Sequence, residues 1–150
     1  MAVQTSYNAT QAAAAEGAQA TMVPATIISR NVEPSAGIGF GKAVAQGTTD
    51  KGIVGFATAT NKFVGITLLD RSVAGTQAAP DVFPQRSSAR VMTKGDVWVT
   101  AAVAVAAGDP VYLTATGTFT NVSTNNTAID GARFDTSTTG TGQLAVVRLG

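Results

Sequence analysis

The segment "RVMTKGDVWVTAAVAVA", residues 90–106, decides how the rest of the chain is read. Val97, Val99, Ala101, Val103 and Val105 fall on one side of an extended backbone, and Trp98, Thr100, Ala102 and Ala104 fall on the other. A period of two predicts a β-strand with its β-branched face in a core. The opposite face carries small residues and one Trp. Trp98 therefore either packs beneath a loop or stands exposed as an anchor for a partner.

The neighbouring text has the same character. "PVYLTA" (110–115) and "GTFTNV" (117–122) read as a hairpin-like pair, with Val111 and Leu113 inward and Tyr112 outward. If the 90–106 strand pairs with the one after Gly108-Asp109-Pro110, Trp98 and Tyr112 share an outer face. Upstream, "VPATIISR" (23–30), "IGFGKAVAQ" (38–46), "IVGFATA" (53–59) and "KFVGITLLD" (62–70) are strand-like, separated by "EPSAG" and "GTTDKG" turns. "RSVAGTQAAPDVFPQRSSA" (71–89) reads as a long loop, and "STNNTAIDG" (123–131) as polar and turn-rich. "ARFD" (132–135) and "QLAVVRLG" (143–150) close the chain. Short strands with hardly any helical periodicity predict an all-β fold: a compact antiparallel β-barrel or jelly-roll-like sandwich.

Residues 1–22, "MAVQTSYNATQAAAAEGAQATM", differ from the rest. They hold one aromatic, Tyr7, and one charge, Glu16, and have little to bury. The expectation is an extended N-terminal arm over 1–22, settling on a partner, and a single β domain over 23–150. Residues 1–29 contain no Lys or Arg and no continuous apolar core, so neither a secretory leader nor a membrane span is expected.

Chemistry is hard to find. The chain has no Cys and no His, which removes thiol nucleophiles, the commonest general base and the commonest transition-metal ligand. Asp50, Asp96, Asp109 and Asp130 all sit in turn-like contexts, where Asp bonds nearby backbone. Nothing in the spacing selects a carboxylate pair for acid–base work. "GIGFG" (37–41) lacks the third glycine of a dinucleotide loop, since Lys42 follows, and a strand pattern continues where a helix is required. These glycines fit a bend or a close backbone approach better. Net charge is +1 with scattered cations, which leaves nucleic acid and anionic membranes without a basic stripe to bind. No catalytic residue, metal site or cofactor is expected. The charged fraction is 13%, about half the usual share, which suits a protein that spends its life docked on another surface.

Taken together, "ATIISRNVEPSAGIGFGKAVAQGTTDK" (25–51), "FVGITLLD" (63–70), "KGDVWV" (94–99) with "GDPVY" (108–112), and "GARFD" (131–135) with "LAVVRLG" (144–150) resemble the structural cement, or capsid decoration, proteins of tailed bacteriophages. The resemblance spans nearly the whole chain and brings no catalytic signature. It implies a non-enzymatic virion protein on the outer face of an icosahedral head. Its partners would be the major capsid protein and itself, as a homo-oligomer, dimer or trimer. Tyr7, Trp98 and Tyr112 are the candidate contact residues. The competing readings are another β-rich virion module, such as a tail or fibre component, and a carbohydrate-binding or hydrolytic jelly-roll domain.

Overall fold

The computed structural model describes residues 12–75 and 78–150, and among these no helix forms. Eleven strands follow one another: β1 (Thr26–Val32), β2 (Ile38–Gly39), β3 (Ala43–Gln46), β4 (Gly52–Gly55), β5 (Phe63–Thr67), β6 (Val82–Phe83), β7 (Ser88–Thr100), β8 (Pro110–Leu113), β9 (Phe119–Thr120), β10 (Thr127–Phe134) and β11 (Leu144–Leu149). The all-β expectation holds, and the sheet closes twice.

The nine-stranded sheet runs β1-β4-β3-β5-β7-β11-β10-β8-β9, and β1 also pairs with β7. The first five strands therefore form a closed ring. On the other side Phe119 of β9 bridges to Ala101, just beyond β7, and the Ala102 N–H donates to the Phe119 carbonyl at 2.8 Å. A second ring closes through β7, β11, β10, β8 and β9. The strand pairings are antiparallel except β1–β4, where Asn31 and Val32 run parallel to Gly52 and Ile53.

β7 belongs to both rings, and its sequence explains how. Ala89 and Val91 enter a core with Val32, Phe40, Val44, Ile53 and Phe83, where Phe40 and Phe83 meet edge to face at 5.0 Å. Met92, Val97, Val99 and Ala101 enter a different core with Ile66, Leu113, Phe119, Phe134 and Val147. Strict alternation sends 91 and 92 to opposite faces, one into each core, but cannot put both 92 and 97 into the same core. The phase must slip, and Gly95 sits within that stretch at φ 125°, a conformation side chains resist. A Cβ at Gly95 would lie 2.9 Å from that of Ala25, so this kink also lets the chain before β1 pass close by.

Three sequence expectations are corrected. β7 and β8 do not pair: β11 and β10 lie between them, because the β11 sequence extends the β7 ladder from Thr100↔Leu144 to Gly95↔Leu149. The turn-rich 123–131 segment is strand from Thr127 onward, with the polarity carried on an exposed side and Ile129 buried. The 38–46 strand is broken into β2 and β3 by a bend at Gly41, φ 66°. "GIGFG" thus makes a bend with a close approach, since Gly41 abuts Gly17.

Candidate functional site

The segment before β1 is built onto the body. Its backbone follows β7 in the antiparallel sense that β1 has from Thr26↔Lys94 to Asn31↔Ser88. The Ala20 N–H donates to the Asp96 carbonyl at 2.9 Å, the Trp98 N–H to the Ala18 carbonyl at 2.9 Å, and the Gly17 N–H to the Trp98 carbonyl at 2.7 Å. The Gly17 carbonyl accepts from the Leu69 N–H at 2.8 Å, and Glu16 pairs with Lys42 at 2.8 Å. Residues 16–21 thus form a strap paired edge to edge with the shared strand, its small side chains Ala18 and Ala20 packed against Trp98.

Two side chains lie against the strap. Trp98 is 3% exposed and packs with Ala18, Ala20, Leu144 and Val146. Of the two sequence alternatives it takes the packed one, and the cover comes from the chain's own N-terminal region. Its indole N–H is buried without an acceptor. Asp96, read from sequence as a turn residue, is instead fully buried in β7. Its Oδ1 accepts from Arg148 Nε at 2.7 Å, and its Oδ2 from Arg148 Nη2 at 2.8 Å and from the Thr21 hydroxyl at 2.6 Å. Arg148 also reaches Asp135 Oδ2 at 3.1 Å. Arg148, followed by burial and Thr21, decides the Asp96 carboxyl: the net effect holds it below the usual carboxylate range. Sequence reasoning missed this cluster. The available signal was one charge of each sign embedded in "KGDVWV" and "LAVVRLG", the two most apolar alternating runs.

The remaining aromatic candidates are spread out. Tyr112 is half-buried in β8, opposite Ala128 of β10 and Thr120 of β9. Its strand is separated from that of Trp98 by β11 and β10 on one side of the ring and by β9 on the other, and Trp98 packs instead with Ala18, Ala20, Leu144 and Val146. The two rings do not form one patch. Tyr7 lies outside the described residues.

Of the four Asp residues expected to bond nearby backbone, Asp109 does so. Asp109 Oδ2 accepts from the Ala106 N–H at 2.9 Å and from Asn121 Nδ2 at 2.6 Å, which hold its carboxyl below the ordinary value. Asp70 binds the hydroxyl and N–H of Ser72. Glu33 accepts from the N–H and hydroxyl groups of both Thr48 and Thr49 at 2.9 to 3.1 Å. These bonds, the backbone ones foremost, push it down to about 2. Each carboxylate here organises backbone or another side chain. Among the described residues no cluster of three acidic groups could hold a metal ion.

No curated protein matches the chain. A solved structure described as the capsid of Myoviridae phage XM1 superposes with a TM-score of 0.70 at 22% identity, covering 99% of this chain and 98% of that one. The N base of head fiber gp8.5 in bacteriophage phi29 superposes with a TM-score of 0.52 at 13% identity, covering 85% of this chain and 95% of that one. At these identities the likeness shows a shared fold. The family of phage structural cement proteins, described as structural cement protein (E217 gp24/Pam3 gp6), matches residues 3–150. The chain therefore belongs to the phage structural cement protein family, and its role is that of a structural, capsid-associated virion protein.

Proposed function

We propose that the protein binds the outer surface of an icosahedral phage head and clamps neighbouring major capsid protein subunits, acting as a homo-oligomer and without catalysis. The observation that carries this reading is the strand shared by two closed barrels in a chain whose family is structural. A clamp must transmit tension between its two ends. Here the ends are joined along 13 residues of continuous backbone, about 43 Å at roughly 3.3 Å per residue. An interdomain seam would slide under the same load. Each contact with the shell need be only modest, because the first raises the effective concentration for the next.

Within this reading Tyr112, half-exposed on β8, touches the shell directly. Trp98 acts from below by holding the strap that forms the outer surface, and Tyr7 contributes through the arm, which adds to a neighbour's sheet edge. Residues 16–21 cover Trp98 and Asp96, so deletion of 2–22 would strip the body as well as the arm. Deletion of 2–11 is the cleaner probe. Retention on purified heads, read by cryo-electron microscopy and by release on heating, is expected to fall while the melting temperature of the free protein stays put. Full decoration by the truncated chain would remove the arm from the mechanism. Absence of the full-length protein from purified heads would defeat the clamp itself.

A further inference from the structure

Large apolar side chains are exposed at four described positions, and three of them, Met22, Val23 and Ile27, fall within one six-residue stretch leading into β1. Over Ile27–Ser29 the backbone of β1 also lacks a strand neighbour on one edge. The Val32 N–H donates to the Ser87 carbonyl, and the Val32 carbonyl accepts from the Arg86 N–H, so Val32 faces the β7 side. The Asn31 N–H points the other way, to the Lys51 carbonyl of the β4 side. Pairing from Ile27 to Asn31 is in continuous register, so alternation turns the N–H and C=O of Ser29 and Ile27 away from β7 as well. β4 pairs only with Asn31 and Val32 and leaves these groups open. The Ser29 carbonyl accepts from its neighbour Arg30 Nη1 at 3.2 Å, which leaves it a second lone pair.

Sheet edges are ordinarily blunted by Lys, Pro or a bulge. The Ile27–Ser29 edge has none within it, and it is bounded on both sides: by a register shift between Thr26 and Ile27, and by the Lys51 carbonyl at Asn31. A long foreign strand would find no continuous ladder there. A short strand with the same spacing of free groups would.

We propose that this edge is a two-fold interface, at which a second copy of the chain adds its own β1 antiparallel, centred on Ile28. The Ile27 N–H then donates to the Ser29 carbonyl of the second copy, the Ser29 N–H of the second copy donates to the Ile27 carbonyl, and the axis repeats both bonds. Antiparallel pairing is the sense a two-fold axis imposes, and the patch is complementary to itself, as an isologous contact requires. Met22 and Val23 flank the seam and lose solvent there. The proposal specifies the self-association invoked above. It is tested without capsids, so it can fail while capsid binding stands.

The test is analytical ultracentrifugation of the full chain with two variants. The wild type is expected to sediment as a dimer. Ser29→Pro removes an outward N–H from each copy while leaving the β7 ladder whole, a position where an edge strand accepts proline. It is expected to weaken the dimer roughly tenfold or more, as two lost hydrogen bonds predict, with unchanged melting of the monomer. Ile27→Lys, which changes only an exposed side chain, is expected to do the same and guards against misfolding of the proline variant. A wild type that is monomeric or trimeric overturns the proposal, as does a dimer that both folded variants leave intact.

Discussion

Arg148 grips both carboxylate oxygens of Asp96 across the β7–β11 ladder, Nε to one and Nη2 to the other, and Thr21 of the strap closes over the second. A charge of each sign is thereby committed on the outer face of the shared strand. The arrangement ties two distant parts of the chain, the strap and β11, to a single carboxylate of β7.

Removing one partner of such a pair leaves the other buried and uncompensated. Arg148→Ala is expected to destabilise the fold by about 3 kcal/mol or more. Replacing both residues with apolar ones of similar size should recover much of that loss, and urea denaturation of the single and double variants measures both. The sign with pH follows from the depressed Asp96 value. Its contribution is present above the ordinary carboxylate range and is lost as pH falls through the lowered value.

Gly17 and Gly41 meet backbone to backbone. A Cβ on Gly17 would stand 2.7 Å from the Gly41 N, and both glycines have positive φ, 82° and 66°. Gly17→Ala is expected to lift the strap and cost more than about 1 kcal/mol, combining left-handed strain with the clash. Trp98 reports it directly: its emission should shift to the red, and proteolysis between Ala12 and Thr21 should accelerate.

The unpartnered indole N–H of Trp98 makes a contrast between two substitutions. Trp98→Phe gives up no hydrogen bond and should be tolerated far better than Trp98→Ala, which opens a cavity worth about 3 to 5 kcal/mol. Thermal melts of the pair decide the point. If the phenylalanine variant is as unstable as the alanine one, the indole nitrogen has an acceptor after all.

Glu33 holds the Thr48–Thr49 turn from just beyond the end of β1, with its carboxyl pushed down to about 2. That turn should keep its form through mild acid. Its contribution is complete above the ordinary glutamate value and disappears as pH drops toward about 2. In an NMR titration the Thr48 and Thr49 amide shifts should move together with the Glu33 carboxyl carbon, at a midpoint well below that of an exposed glutamate.

The legible parts of this protein are those written locally. β7, β8 and β11 could be seen because Val97, Val99, Val111, Leu113 and Val147 alternate without interruption. β10 was hidden because "TNNTAIDG" offers Asn, Asp and Gly on its exposed side and only Ile129 inside until Ala132. The strand order was not readable, since β11 inserts beside β7 from a position about 50 residues downstream. Asp96 shows the limit most clearly. "KGD" is turn chemistry, and Gly95 does kink the strand, but the partner that buries the carboxylate lies 52 residues away. The strap was invisible for a related reason: a run of small residues reads as weak, yet smallness is what lets Gly17, Ala18 and Ala20 lie close along β7.

The bridge from Phe119 to Ala101 is a small contact with a large effect on company. Under the proposed clamp, many identical copies would sit within reach of one another on a phage head, the circumstance in which open ladders recruit their neighbours. By closing the second ring the chain denies its own kind a template there. Crowding can then fill the shell without knitting it into fibres.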